Sequence, residues 1–268
     1  MIIGIDIGST TTKAVSIENG KILKRIKARA QDAITAATGA FGKIVLENGI
    51  DIKTIKKIKI TGAGASKIKD DIFGIPTTRV SEIEAIGVGG MFLSGMMDII
   101  ITNIGTGTVI LEAGDSGIKH VGGSGVGGGT ILGLAKKLLP VAQFNDILEL
   151  AKNGKINQVD LLLGDITDTR LSFLSGESTA SNFGKMLDTA NSSDIALGII
   201  NMVYQVIGVL SVLAAKAKDS KRVIVTGNGS KNMIGRKVLT DISALYGIEF
   251  LYPEYAEYTT AIGAGLTD

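Results

Sequence analysis

The chain has 268 residues, 28 basic against 26 acidic, for a formal charge of +2. That near balance excludes the basic footprint of a nucleic-acid binder and of a dedicated anionic-surface binder. It has no cysteine, which removes disulfides, thiolate metal sites and cysteine nucleophiles, and its single histidine, His120, argues against histidine-based metal sites and Ser-His-Asp triads. With 45% hydrophobic and 20% charged residues, it reads as globular and long enough for a sizeable core. Glycine is the outlier: 36 residues against only 3 prolines, a pattern of tight turns and close backbone approach rather than of a flexible linker.

In chain order, residues 2–8 read as a buried strand and 11–17 as its hairpin partner across Gly8-Ser9-Thr10. Residues 21–28 form a third strand, charged on one face. A helix is expected over 32–48, ended by Gly49. Then come a strand at 55–61, a turn at Gly62-Ala63-Gly64, a short helix to about 72, and a strand at 76–80. Ser81 is the expected N-cap of the next helix. The pattern restarts with strands at 99–105, 108–113 and 118–121 and helices at 129–139, 145–153 and 182–190. Residues 195–215 carry no charge and are long enough to span a bilayer. Asn201, Gln205 and Ser211 lie within them, no aromatic belt flanks them, and Lys216, Lys218, Lys221 and Arg222 follow on one side only. A buried helix is therefore expected. A strand at 223–226, a helix at 231–246 and a strand at 249–252 follow, and residues 259–266 close the chain.

Both halves follow the order of three strands, a helix, a strand and a helix. The expected fold is α/β, with one lobe over 1–90, a second over 91–268, a helical insertion at about 130–220, and a ligand cleft between the lobes. The N-terminus carries no signal-peptide pattern, and a cytoplasmic protein without membrane attachment is expected.

Four glycine-rich loops carry the chemistry. The first runs from Asp6 through Ile7, Gly8, Ser9, Thr10, Thr11 and Thr12 to Lys13. A carboxylate at the end of an apolar strand needs a cation or donors, and hydrated Mg²⁺ suits one carboxylate plus water and phosphate. The turn offers N–H groups and hydroxyls to phosphate oxygens. The second loop, Asn103-Ile104-Gly105-Thr106-Gly107-Thr108, holds the same position in the second half, so the two make a natural polyphosphate clamp. The third, from Val121 through the glycines to Thr130, precedes a helix whose first N–H groups suit an anion. Gly123, Gly125 and Gly128 fit G-x-G-x-x-G, but the acidic residue of a dinucleotide site about 20 residues on is missing, and there is no P-loop. The fourth, Thr226-Gly227-Asn228-Gly229-Ser230, either passes under an adenine or ribose or is a plain strand-to-helix turn.

Glu82 and Glu84 open a helix expected at the cleft. Acids in a first turn also serve the helix dipole. The functional reading is a general base for a substrate hydroxyl attacking a γ-phosphate.

With these motifs in order, the chain resembles the type II pantothenate kinases of the acetate kinase/sugar kinase/Hsp70/actin superfamily. The matching segments are GIDIGSTTTK, TGAGASK, SEIEA, NIGTGT, VGGSGVGGGTILGL, ASNFGKML, TGNGS and the terminal AIGAGL. The resemblance implies two actin-like (ribonuclease H-like) lobes and a homodimer that phosphorylates the primary hydroxyl of pantothenate with ATP and Mg²⁺, the first step of coenzyme A synthesis. It places ATP on Asp6, Ile7, Gly8, Ser9, Thr10, Thr11, Thr12 and Lys13, on Thr106, on Gly128, Gly129, Thr130, Ile131 and Leu132, and on Phe144 and Asn228. It gives Glu82 the catalytic-base position, Mg²⁺ to Asp6 through water, and the pantothenate site to Glu82, Thr106 and His120.

One position departs from the family pattern. Many members carry arginine just before the VGG of the third loop, against the pantothenate carboxylate, and here that residue is His120. A neutral imidazole lacks arginine's bidentate fork, and strand alternation points Lys119 to the other face. A kinase of another small alcohol, a nucleotide or acyl-CoA sensor, and a partner-driving ATPase of the dehydratase-activator type are the alternatives. The last would need a cysteine-ligated cluster that this chain cannot hold.

Overall fold

The computed structural model describes residues 1–29, 32–141, 143–167 and 175–268. The first half comprises β1 (Ile2–Ile7), β2 (Thr12–Glu18), β3 (Lys21–Ala28), α1 (Ala33–Asn48), β4 (Lys57–Thr61), β5 (Thr77–Arg79) and α2 (Glu82–Ser94). The second comprises β6 (Ile99–Ile104), β7 (Thr108–Gly114), β8 (Gly117–Ser124), α3 (Gly128–Leu138), α4 (Phe144–Ala151), β9 (Leu161–Leu162), α5 (Leu163–Ile166), β10 (Thr179–Ser181), α6 (Ser192–Ala217), β11 (Arg222–Thr226), α7 (Met233–Tyr246), β12 (Glu249–Leu251) and α8 (Thr259–Leu266).

The two main sheets repeat one topology. The first is ordered β3-β2-β1-β4-β5 and the second β8-β7-β6-β11-β12. In each, the three hairpin-linked strands are antiparallel and the two strands beyond them are parallel. A parallel neighbour requires a crossover connection, which is why helices appear where they do.

The alternation of β1 sorts its side chains. Ile3, Ile5 and Ile7 join Ala36, Ala40, Phe41 and Ile44 of α1 in one core. Asp32 caps α1 by accepting from Ile34 N (3.0 Å) and Thr35 N (2.8 Å), and Gly49 ends it at φ 60°. The opposite face of β1 and β2 receives α8, whose Ala261 and Ile262 pack with Val15 and Ile17. The chain's last helix thus returns to the first sheet, while Ile86 of α2 packs with Ile101, Leu111 and Ile224 of the second. The two helices meet backbone to backbone: a Cβ on Gly89 would overlap the Thr259 carbonyl, and one on Gly263 the Ala85 carbonyl.

α6 is long and apolar enough to cross a membrane, but Ile199, Ile200, Val203, Tyr204 and Ile207 are all fully buried in the second-half core. Asn191 and Asp194 cap it reciprocally, Ser193 N to Asn191 Oδ1 at 2.8 Å and Asn191 N to Asp194 Oδ2 at 2.9 Å.

Three expectations need correction. Residues 182–190 are not helical. Phe183 and Met186 sit at positive φ (56° and 33°), and the local N–H groups are engaged elsewhere. Phe183 N donates to Asp160 Oδ1 (2.8 Å), and Lys185 and Met186 N donate to Val159 O (3.1 and 3.0 Å). The fully buried Asp160 carboxylate, which also accepts from Thr179, Asn182 and Asn201, organises this segment by tertiary bonds that override its helical pattern. The helix expected up to residue 72 is one 3₁₀ turn, Ala63–Lys67. The 231–246 helix starts at Met233, capped by Asn232 to Gly235 N at 3.1 Å, after a 3₁₀ turn at Asn228–Lys231.

Candidate active site

The cleft lies where the two hairpin turns face each other. Ser9 of the first and Thr106 of the second share a hydrogen bond across it, Oγ to Oγ1 at 2.6 Å. Gly8 N–H bonds Thr11 O (3.2 Å) and Gly105 N–H bonds Gly107 O (2.9 Å), so both turns are tight. Thr10 is exposed, whereas Thr11 and Thr12 are buried. Ile7 belongs to the α1 core, so it offers the cleft only backbone.

Asp6 is 8% exposed, and its Oδ2 lies 3.6 Å from Lys13 Nζ, itself 5% exposed. Burial pushes the Asp6 carboxyl above its ordinary range, and Lys13 only partly offsets this. The parallel register sets Thr61 beside Asp6. The Thr61 hydroxyl is buried without a hydrogen-bond partner. A desolvated carboxylate beside an unsatisfied hydroxyl is a hard-oxygen donor set that fits a hydrated magnesium ion.

Glu82 is the first residue of α2 and is open to the cleft. Ser81 holds the N-cap position without a side-chain bond to the first turn. Glu82 is exposed at its surface, yet neighbouring protein partly desolvates its carboxyl. That desolvation, followed by the charge of Asp6, pushes its carboxyl above the ordinary range, and Lys13 pulls the other way. Both acids and Lys13 therefore form one electrostatic group.

Asn228, half-buried in the fourth loop, bridges back to the first half: its Nδ2 donates to Thr11 Oγ1 (3.2 Å) and its Oδ1 accepts from Lys27 Nζ (3.5 Å). Tyr204 of α6 fixes that loop from below through its hydroxyl and Gly229 O, 2.7 Å apart. The Ser9–Thr106 bond thus joins the first and second loops, and Asn228 joins the fourth loop to the first.

The third loop is arranged differently from its expected anion nest. Gly127 N donates to Thr130 Oγ1 (3.1 Å), Gly128 N to Gly105 O (2.9 Å), Gly129 N to Thr106 O (2.8 Å) and Thr130 N to Gly127 O (3.1 Å). Every first-turn N–H is engaged, so the loop clamps the second turn from behind. Close packing demands the glycines: a Cβ on Gly127 would lie 2.6 Å from Thr106 O. Ile131 is buried in the second-half core, with Leu132 and Phe144 packed at its margin.

His120 stands apart from this cluster. It is exposed on the edge strand β8 and makes no side-chain hydrogen bond or ion pair among the described residues. Alternation places it on the face carrying Ile118, which packs against Gly87 of α2. It therefore shares a side of the sheet with the helix that Glu82 opens.

Lys27 carries no local sequence signal for its place beside the first loop, whereas the two strand-end junctions share a T-G-x-G pattern. That pattern is detectable, since it occurs twice, at Thr61-Gly62-Ala63-Gly64 and Thr226-Gly227-Asn228-Gly229.

Comparison with known proteins identifies the family and the fold. The Fumble family model matches residues 94–267. The type II pantothenate kinase of Bacillus cereus is 35% identical over 238 residues, covering 84% of this chain and 83% of that one. The type II pantothenate kinase of Staphylococcus saprophyticus is 28% identical over 277 residues, covering 98% and 99%. Among solved structures, the activator of 2-hydroxyisocaproyl-CoA dehydratase from Clostridium difficile with bound ADPNP superposes with a TM-score of 0.68 at 22% identity, over 99% of this chain and 92% of that one. A ROK family glucokinase from Streptomyces griseus in complex with glucose and AMPPNP gives 0.60 at 16%, over 98% and 97%. These likenesses fix the fold as the actin-like, sugar-kinase type, and the sequence relatives place this chain in the Fumble family, among the type II pantothenate kinases.

Proposed function

We propose that this protein is an ATP-dependent kinase that phosphorylates pantothenate to 4′-phosphopantothenate, opening coenzyme A synthesis. The observation that carries the reading is the grouping of Asp6, Lys13 and Glu82 at a cleft closed by the Ser9–Thr106 bond. In the reaction, the acceptor's hydroxyl oxygen bonds the γ-phosphorus, the bond to the bridging oxygen breaks, and ADP leaves. Glu82 takes the hydroxyl proton. Its raised pKa brings it nearer to the operating pH, as a general base requires. The backbone and hydroxyls of Gly8–Thr12, with Thr106 and Asn228, orient the phosphates and nucleoside, and Lys13 offsets phosphate charge. Gly128–Leu132 and Phe144 complete the nucleotide's surroundings.

Asp6 would hold magnesium through water, with Thr61 at hand; the ion would neutralise charge on the β- and γ-phosphates. His120 would face the pantothenate carboxylate. The same reading includes a cytoplasmic homodimer, checked by light scattering of the purified protein.

The deciding experiment measures ADP release from Mg-ATP with and without pantothenate, with mass detection of phosphopantothenate. Pantothenate-dependent release of both products is expected. ATP binding without that turnover, in an assay that succeeds with another small alcohol, would replace the acceptor and keep the kinase.

A further inference from the structure

The register of the first sheet lines up a row of side chains that the sequence does not reveal. Lys27 of β3 is directly opposite Lys13 of β2, Lys13 is opposite Asp6 of β1, and Asp6 is opposite Thr61 of β4. All four lie on the face away from α1, because their neighbours Ile5, Ile7, Ala14, Ile26 and Ile60 make the α1 core. The row holds two cations and one anion. Lys13 is matched by Asp6, but Lys27 makes no ion pair among the described residues, and its ammonium reaches only the neutral Asn228 Oδ1. Like charges directly opposite on adjacent strands repel.

The surroundings intensify this imbalance. Lys27 is exposed, yet desolvation of its ammonium, followed by the charges of Lys13, Arg29 and Lys231, pushes it below its ordinary lysine range, against Glu257 alone. Glu257 is itself ion-paired with Lys231. An unmatched cation held against another cation at the wall of a phosphate cleft is an anion site whose counter-charge comes from the ligand.

We propose that Lys27 is a nucleotide-positioning residue whose ammonium, paired across the strands with Lys13, binds the phosphate chain of the nucleotide. This deepens the kinase reading by adding a residue on β3 to the loops. It rests on nucleotide binding at this cleft and is independent of which alcohol accepts the phosphoryl group. The bond to Asn228 gives Lys27 its aim: that amide also holds Thr11 of the first loop, so the ammonium stands between the two segments that would grip the nucleotide. Specificity follows from charge. Lys27 recognises a polyphosphate and is indifferent to the nucleoside.

The test is calorimetric titration of ADP, pyrophosphate and adenosine into the parent, Lys27→Met and Lys27→Arg, with melting of each unliganded protein. Lys27→Met is expected to raise the Kd of both ADP and pyrophosphate about tenfold, to leave adenosine unchanged, and to melt no lower than the parent because a repulsion is gone. Lys27→Arg restores most of the affinity. In turnover, Lys27→Met raises KM for ATP while kcat stays near the parent's. Unchanged ADP affinity in Lys27→Met overturns the proposal. So does loss on ADP without loss on pyrophosphate, or an unliganded melting point well below the parent's in both variants, which would make the lysine structural. Failure of the pantothenate assay leaves these titrations readable, so the two readings fail separately.

Discussion

The two halves build the same strand-end junction and use it for different purposes. In the first, Asp6, the last residue but one of β1, lies beside Thr61 and Gly62; in the second, Asn103, the last residue but one of β6, lies beside Thr226 and Gly227. Both glycines are left-handed, at φ 87° and 81°. A Cβ on Gly62 would lie 2.6 Å from Asp6 Oδ1, and one on Gly227 would lie 2.8 Å from Asn103 Oδ1. Each glycine is followed by a 3₁₀ turn. The second junction is closed: Thr226 Oγ1 lies 3.0 Å from Asn103 Oδ1, a neutral buried hydrogen bond. The first is open: Thr61 has no partner and Asp6 is held at 3.6 Å by Lys13. One fold repeat thus supplies a satisfied structural junction and an unsatisfied, charged one. The unsatisfied junction is where the acids of the cleft gather. Functional sites are where local rules of polar satisfaction are left unmet.

The sharpest way to break this comparison is to neutralise the acid next to the open junction. Glu82→Gln is expected to lower kcat by about a hundred- to ten-thousand-fold while ATP affinity stays at the parent value. Stopped-flow binding and steady-state turnover check the two parts. A base must be ionised to act. Because desolvation and then Asp6 raise the Glu82 pKa above its ordinary 4.5, the acid limb of the parent's rate profile lies above that value. The sign for stability is the reverse. A raised folded pKa contributes stability that is complete below 4.5 and lost as pH rises through the raised value. At neutral pH Glu82→Gln therefore melts no lower than the parent, which separates a lost base from a damaged fold. Near-parent turnover would move the chemistry away from the open junction.

The threonine pair sharpens the comparison at smaller cost. Thr226→Val leaves Asn103 Oδ1 buried without its donor and is expected to lose about 1–3 kcal/mol of stability by denaturant melts. Thr61→Val removes a hydroxyl that bonds nothing and is expected to stay within about 0.5 kcal/mol of the parent. Equal losses at the two positions would mean that the junctions are alike.

Much of this was legible in the sequence. The repeated order of elements, α1 between Asp32 and Gly49, the facing Gly/Thr turns and Glu82 at the head of a helix all rest on local signals: caps, alternation and glycine placement. What was not legible depends on tertiary partners. Residues 182–190 carry a helix-like pattern but spend their N–H groups on Asp160 and Val159. The third loop looks like an open helix N-terminus, yet Gly105, Thr106, Gly127 and Thr130 take its donors. Lys27 and Lys13 become neighbours only through strand register, which residues so far apart in the chain do not announce. The return of α8 to the first sheet depends on backbone contact between glycines and is likewise invisible to periodicity.

The smallest expected effect tests the acceptor side of the same cleft. His120 lies on the face of β8 that carries Ile118 against α2, and so on the side of the sheet where Glu82 begins its helix. The planar imidazole offers a carboxylate one hydrogen bond at most, through one ring nitrogen. A guanidinium offers two parallel charged ones. His120→Arg is therefore expected to lower KM for pantothenate by about five- to tenfold, worth about 1 kcal/mol, with KM for ATP unchanged because the proposed nucleotide contacts lie on other loops. An arginine that leaves KM untouched would place the acceptor's carboxylate elsewhere in the cleft and free the edge of β8 from any part in recognition.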